Sequence, residues 1–412
     1  MQKILLLIAS LFYFNFILAE NEIKSWQGIH ETPLSRLEQQ FAEPPVEFAN
    51  HVIWGWEGKM DKKTICNDLD SIKKKGFRAV IFEAGYKLPF KYLSEEWFKA
   101  IRTGVLEAKK RGMKVWIIDE GKYPSGFAGG KFSQERPDLR MQALVIGDTI
   151  QIKRGEVMTN HKIAPEIISA VAVSTSGAPN RTVAINNGEI SFNAGLDDWK
   201  ILLVKSDFRT AVTRAVNNPN GGKDATNSLC DYLNPVAVQQ FIDWTHEQYK
   251  KYLGKELGTT VLGFRGDEPD YAHLPWTPSI VQTFKDTKGY DPTPYLASFF
   301  TTSPTIQEQR VKADYWDVWS SLFATHFFKL QADWCAANGV AHITHLNKEH
   351  EMPACVKAEG DYFRNLSKVQ IPGVDAIWNQ IWPGTLNDFP KLASSVAHVY
   401  GKPRAFSESF AA

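Results

Sequence analysis

From His51 onward the chain repeats one pattern: a short apolar run, then a stretch whose apolar residues recur every three to four positions, then another apolar run. HVIWGW is the first run. Asp61 can cap a helix that places Ile65, Leu69 and Ile72 on one face, and Gly76 supplies its left-handed exit. FRAVIFEAG follows, then a helix capped by Ser94, with Trp97, Ile101 and Val105 inward and Gly112 at its end, and then MKVWIIDEG. Strands alternating with amphipathic helices predict a parallel sheet with crossover helices.

Between about Met141 and Arg214 the pattern changes to short β-rich stretches, ALVIGDTIQI, ISAVAVSTSG and WKILLVKS, with NNPNGGKD as the exit. The first rhythm resumes at Asn234 and Pro235, a cap and first-turn pair, ahead of a helix carrying Val238, Phe241, Ile242, Tyr249 and Leu253. TVLGFRGDEP is strand four. One long helix through Tyr315, Trp319, Phe323, Phe327, Leu330 and Trp334 leads past Gly339 to VAHITHLN, with GVDAIW and PRAFSESF as strands six and seven. The expected fold is therefore α/β: a (β/α) TIM-type barrel lacking its last strand, with a small β-rich insertion after strand three, in a chain cut short of a longer protein. Residues 20–50 read as a lead-in, 51–140 and 226–412 as the two parts of the barrel, and 141–225 as the insertion. A doubly wound open sheet is the competing expectation. It is disfavoured by the lack of a Gly-rich phosphate loop after the first strand.

Residues 1–19 have the parts of a secretory signal: Lys3, the apolar run Ile4 to Leu18, and the small Ala19. The run is short of the roughly 20 apolar residues of a membrane span, so the expected location is periplasmic or secreted, with no stable membrane insertion once the signal is removed. No cysteine follows Ala19 to take a lipid. Cys66, Cys230, Cys335 and Cys355 show no C-x-x-C spacing, which argues against a zinc or redox motif and leaves buried thiols or disulfides open.

Composition narrows the partners. With 47 basic and 46 acidic side chains there is no field to attract nucleic acid. The 13 tryptophans offer flat apolar faces of the kind that stack on sugar rings, as well as filling cores. An oligosaccharide or polysaccharide is the expected substrate.

In a barrel the reacting groups sit at the C-terminal strand ends. That filter selects Trp54, Trp56 and Glu57 after strand one, Glu83 after strand two, and Asp119 and Glu120 after strand three. It then selects Asp267 and Glu268, His345 and Asn347, Asp375 and Trp378, and Glu408. Tyr123 joins them from the K-Y-P-S-G-F-A-G-G loop. No nucleophile elbow is present, so carboxylates carry the chemistry. Hydrolysis of a glycoside needs one protonated and one ionised carboxyl across the bond, and Glu268 and Glu408 are the catalytic pair expected to face each other from strands four and seven. Trp54, Trp56, Glu83, Asp119, Glu120, Tyr123, Asp267, His345, Asp375 and Trp378 are the expected substrate-binding residues. Several acids at one mouth also permit a hard cation such as calcium, although no EF-hand spacing exists. His342, His345 and His350 lack H-E-x-x-H spacing and read as ordinary strand and loop residues.

The stretches W-G-W-E-G-K-M, D-E-G-K-Y-P-S-G-F-A-G-G, D-Y-L-N-P, G-F-R-G-D-E-P, W-T-P with G-Y-D, and A-H-V-Y-G-K-P-R-A-F-S-E-S resemble the α-L-rhamnosidases of glycoside hydrolase family 106 and their bacterial relatives. The resemblance runs from about His51 to the last residue, apart from the β-rich stretch. It implies calcium-assisted, inverting hydrolysis of α-L-rhamnosides, with an acid after strand four and a glutamate on a late strand. At matching positions these are Glu268 and Glu408, and Arg265 stands beside the first of them. The alternatives are a retaining β-glycosidase with glutamates after strands four and seven, and a non-catalytic sugar-binding remnant.

Overall fold

The computed structural model describes residues 33–43, 50–121, 123–211, 213–214, 223–224, 226–271, 273–377, 380–381, 384 and 387–410. The signal-like segment, Trp378 and most of NNPNGGKD lie outside them.

Seven strands form one parallel sheet: β1 (His51–Trp56), β2 (Ala79–Ala84), β3 (Lys114–Ile118), β4 (Val261–Asp267), β5 (Ala341–His345), β6 (Ile371–Asp375) and β7 (Phe406–Glu408). They lie side by side in chain order, so the reversal of a doubly wound sheet is absent among the described residues. The sheet curls. Arg265 on β4 reaches Glu408 on β7, three strands away, with its side chain over the concave face. β1 and β7 are its two edges. β6 begins two residues before GVDAIW, so Asp375 ends the strand instead of lying within it.

Local rules set the helices. Asp61 accepts from the Thr64 amide at 2.9 Å to start α1 (Lys62–Lys74), which buries Ile65 and Leu69. Ser94 does the same from the Trp97 amide at 3.3 Å for α2 (Glu95–Lys110), which buries Trp97, Ile101 and Val105. Asn234 caps α3 (Pro235–Trp244) through the Val236 amide. The helix expected to continue to Leu253 breaks at Thr245, where ψ is −83°, and restarts as α4 (His246–Leu253). The long aromatic helix is likewise in pieces: α5 (Ile306–Leu322), a π-helical turn over Phe323–Phe328, and α6 (Lys329–Ala337). A π turn inserts one residue into the helical repeat, and here Phe323, Phe327 and the adjacent Phe328 are all buried.

Between β3 and β4 in sequence, Gln142–Ile152, Trp199–Phe208 and Ile167–Ser174 pair in antiparallel fashion, with Pro275–Trp276 adding a short edge. Leu144, Val171, Leu202 and Val204 join the main helix-side core, while Ile152, Ala170, Ile201 and Leu203 pack into a separate cluster on the other face. The sheet is thus apolar on both sides, one of them docked against the rest of the chain.

Period-two alternation divides the parallel sheet into two environments. Ile81, Trp116, Ile118, Leu262, Ala341, Ile343 and Ile371 fill the concave side below the strand ends. Trp56, Val80, Phe82, Val115, Ile117 and Phe264 pack under the helices. Trp54 and Trp56 fall on the helix side, against the expectation that they bind substrate. Trp56 is fully buried, with ring centroids 5.0 Å from Phe82 and 5.7 Å from Trp97, and Trp54 packs edge-on against Trp56 and Phe82. Trp56 is a core residue, and Trp54 packs against that core partly buried.

Candidate active site

β4 carries a bulge at Leu262, because Val261 opposes Val115 while Gly263 opposes the next residue, Trp116. Gly263 is required by close approach: a Cβ there would lie 2.7 Å from the Trp116 ring. Phe264 then packs on the helix side and Arg265 and Asp267 turn to the concave side. Glu268 has a left-handed backbone, φ 41°, which breaks the alternation and lets two consecutive acids serve one mouth.

His345, at the end of β5, is the centre of the cluster. Its Nε2 lies 3.2 Å from Glu408 Oε2 and 3.3 Å from Asp267 Oδ1, and its Nδ1 lies 3.2 Å from the Leu346 carbonyl and 3.8 Å from Glu349 Oε1. Both ring nitrogens have acceptors within reach, which favours the imidazolium. Burial opposes that charge, but hydrogen bonds to Asp267 and Glu408 outweigh it and keep the pKa well above its ordinary value. Arg265, 2% exposed, donates to Glu408 and lies 3.5 Å from Asp267. The 2.9 Å between Arg265 Nη2 and His345 Nε2 is then the gap between two donors that share acceptors.

Two cations, Arg265 and His345, therefore face Asp267 and Glu408. Burial pushes Glu408 up, but the His345 hydrogen bond and the charges of Arg265 and His345 bring it below the usual carboxylate range. Glu268 is driven well above that range by burial first; the His345 charge opposes the shift, and repulsion from Asp267 and Asp375 adds to it. Burial likewise raises Asp375, to about 6, and its Oδ1 has no hydrogen-bond partner. Ligand atoms of Glu268, His345 and Asp375, and of Asp267, His345 and Glu408, each lie within 4.8 Å of one another. The acids of β4, β6 and β7 thus meet around one histidine.

The expected residues of β2 and β3 divide into two roles. Glu83 is half-buried, and its charge acts on Arg265. Asp119 is fully buried, accepts from Ser125 Oγ at 2.7 Å and is pushed by burial to about 7. Ser125 Oγ also lies 2.6 Å from the Asp267 amide, linking the two strand ends. Glu120 does not face substrate, contrary to expectation. Its carboxylate is buried and accepts from the amides of Gly121, Ala128 and Gly129, which fastens the loop after β3. Tyr123 in that loop accepts from Asn347 Nδ2 at 2.9 Å. Glu57 is exposed and accepts from the Tyr86 amide.

Sequence reasoning passed over Glu349 and Glu359. Glu349 accepts from the Leu346 amide and Glu359 from the Asn347 amide, so both brace the turn after β5. Each has one buried oxygen without a partner. Their only signal was spacing, four residues after His345 and twelve after Asn347. The four cysteines are free thiols, three of them buried.

Calcium takes a cage of oxygens. Both candidate sets here include the His345 nitrogen, and Arg265 already occupies the oxygens of one, so these side chains do not fit that ion. Among the described residues no helix is long and apolar enough to cross a membrane.

The strand ends of a curled parallel sheet thus gather carboxylates at one mouth, the residue type that glycoside hydrolysis requires. A family model described as alpha-L-rhamnosidase matches residues 164–412, and the chain belongs to that glycoside hydrolase family. A Formosa agariphila protein named "Putative beta-glucuronidase" is 24% identical over 432 residues, an alignment covering 92% of this chain and 35% of that protein. The solved rhamnosidase from Novosphingobium sp. PP1Y matches with a TM-score of 0.66 at 15% identity, over 91% of this chain and 53% of its own. The chain thus spans about a third of one relative and about half of the other, and the second likeness is one of fold.

Proposed function

We propose that this chain is exported and contributes the active site of an α-L-rhamnosidase-like glycoside hydrolase that completes a TIM-type barrel and acts on oligosaccharides or polysaccharides with inversion. The observation that carries the reading is that Glu268 and Glu408 meet around His345 at one mouth, where burial favours the protonated form of Glu268 and Arg265 and His345 favour the ionised form of Glu408. Glu268 donates its proton to the departing oxygen, and Glu408 takes a proton from the attacking water.

Leaving-group dependence tests the assignment. In the intact protein, Glu268→Gln slows glycosides with poor leaving groups by about 10²–10⁴-fold and activated aryl glycosides far less. Glu408→Gln slows both alike, because water must be activated whatever departs. Equal loss on both substrates for Glu268→Gln would move the acid role to Asp119 or Asp267. A second reading, a retaining β-glycosidase, draws support from the name of the Formosa relative. Proton NMR of the first-formed sugar separates the two, since inversion releases the anomer opposite to that of the substrate.

A further inference from the structure

On the helix side of the sheet, away from the acid mouth, three metal-binding side chains meet. His246 opens α4, Cys335 lies on α6 and His342 on β5, and their ligand atoms all lie within 4.8 Å of one another. They are 0%, 0% and 1% exposed. Neither ring nitrogen of His342 has a hydrogen-bond partner, nor has His246 Nε2, and Cys335 is a free thiol. Buried polar atoms are almost always paired, so two histidines with unpaired nitrogens meeting a free thiol call for an occupant.

The tautomer of His246 is set for metal binding. The Thr245 hydroxyl donates to the Phe241 carbonyl at 2.7 Å, so its oxygen is left to accept from His246 Nδ1 at 2.9 Å. The proton of the neutral ring is thereby fixed on Nδ1, and Nε2 presents a lone pair to the gap, the outer support typical of metal-bound histidine. Phe264, with its ring centroid 4.2 Å from that of His246, and Trp334 at 5.1 Å wall the gap with aromatic carbon.

We propose that His246, Cys335 and His342 form a structural site for a thiophilic d10 cation, zinc(II) or copper(I), inside the shell between sheet and helices. One thiolate and two imidazoles are the donors that such ions prefer. Binding forms the metal–sulfur bond and sends the Cys335 thiol proton to solvent, with no change of oxidation state. A thiolate balances copper(I) in full. Zinc(II) leaves one net positive charge on the site. The site is independent of the glycosidase reading.

The test uses the whole chain, unfolded in chelator and refolded with zinc(II), with copper(I) under reductant, or with cobalt(II) as an optical probe. One equivalent of zinc or copper bound per chain is expected, with a raised melting midpoint and, for cobalt, a near-ultraviolet thiolate charge-transfer band. Cys335→Ser removes the band and the equivalent, and His342→Gln weakens binding, while Glu408→Gln changes neither. Metal that survives Cys335→Ser but is lost in Glu408→Gln belongs to the acid mouth and overturns the proposal. So does a natively folded wild-type chain that takes up none of the three ions or shows no cobalt–thiolate band, an outcome that needs no variant to fold.

Discussion

His342 and His345 stand three residues apart on β5 and are buried to the same degree, yet they meet opposite electrostatics. On the helix side His342 has no hydrogen-bond partner, and burial alone pushes it down to about 3. On the concave side the same burial is outweighed by Asp267 and Glu408, and His345 keeps its proton far above the ordinary value. Burial by itself makes a histidine neutral. What makes one charged is the set of partners that the strand's curl and register bring to it.

The sharpest way to break this contrast is Arg265→Met, which takes one buried cation away from Asp267 and Glu408. Removing one partner of a buried ionic cluster should cost about 3–5 kcal/mol, read as a lowered urea midpoint. A cost under about 1 kcal/mol would show that the cluster is not coupled as its contacts imply.

His345→Gln has a smaller effect, of known sign. Glu408 is held below its ordinary value of 4.5, so the charged partners contribute stability that is present above that value and lost as pH falls through the lower folded pKa. With the imidazolium gone the folded pKa rises. The acid limb of kcat/KM then moves to higher pH, because the charge that favoured the ionised form is gone. An unmoved limb would detach Glu408 from His345.

On the other face, Trp54→Ala should cost about 1–2 kcal/mol in packing against Trp56 and Phe82, because the ring is only partly buried. KM should stay within about twofold of wild type. A selective rise in KM with unchanged stability would restore Trp54 to the sugar site. Smallest of all, Ser125→Ala removes one neutral hydroxyl between Asp119 and Asp267 and should cost about 1 kcal/mol in thermal unfolding.

Much of this fold was legible because local chemistry dictates it. The caps Asp61, Ser94 and Asn234 and the seven apolar runs each follow from a few neighbouring residues. Facing was harder. Trp54 and Trp56 share a face with Val52, and period two alone could have assigned them to the core, but attention to strand ends hid that. The bulge at Leu262 resets the alternation of β4, and the left-handed φ of Glu268 adds a second acid to the mouth. Neither can be read from spacing. Glu120 looked like its neighbour Asp119, yet only the return of the loop from Gly121 to Gly129 shows that its oxygens are taken by backbone. His246, Cys335 and His342 come from three elements, so no motif spacing announces them.

That buried Glu120 carboxylate has a consequence for binding entropy. By holding the amides of Gly121, Ala128 and Gly129 from within, it orders the segment that carries Tyr123 and Ser125 before any sugar arrives. Fixing a loop residue costs about 1–2 kcal/mol of conformational freedom. Here that cost is met during folding, so in the proposed glycosidase an incoming sugar would find this segment already ordered and keep more of its contact energy as affinity.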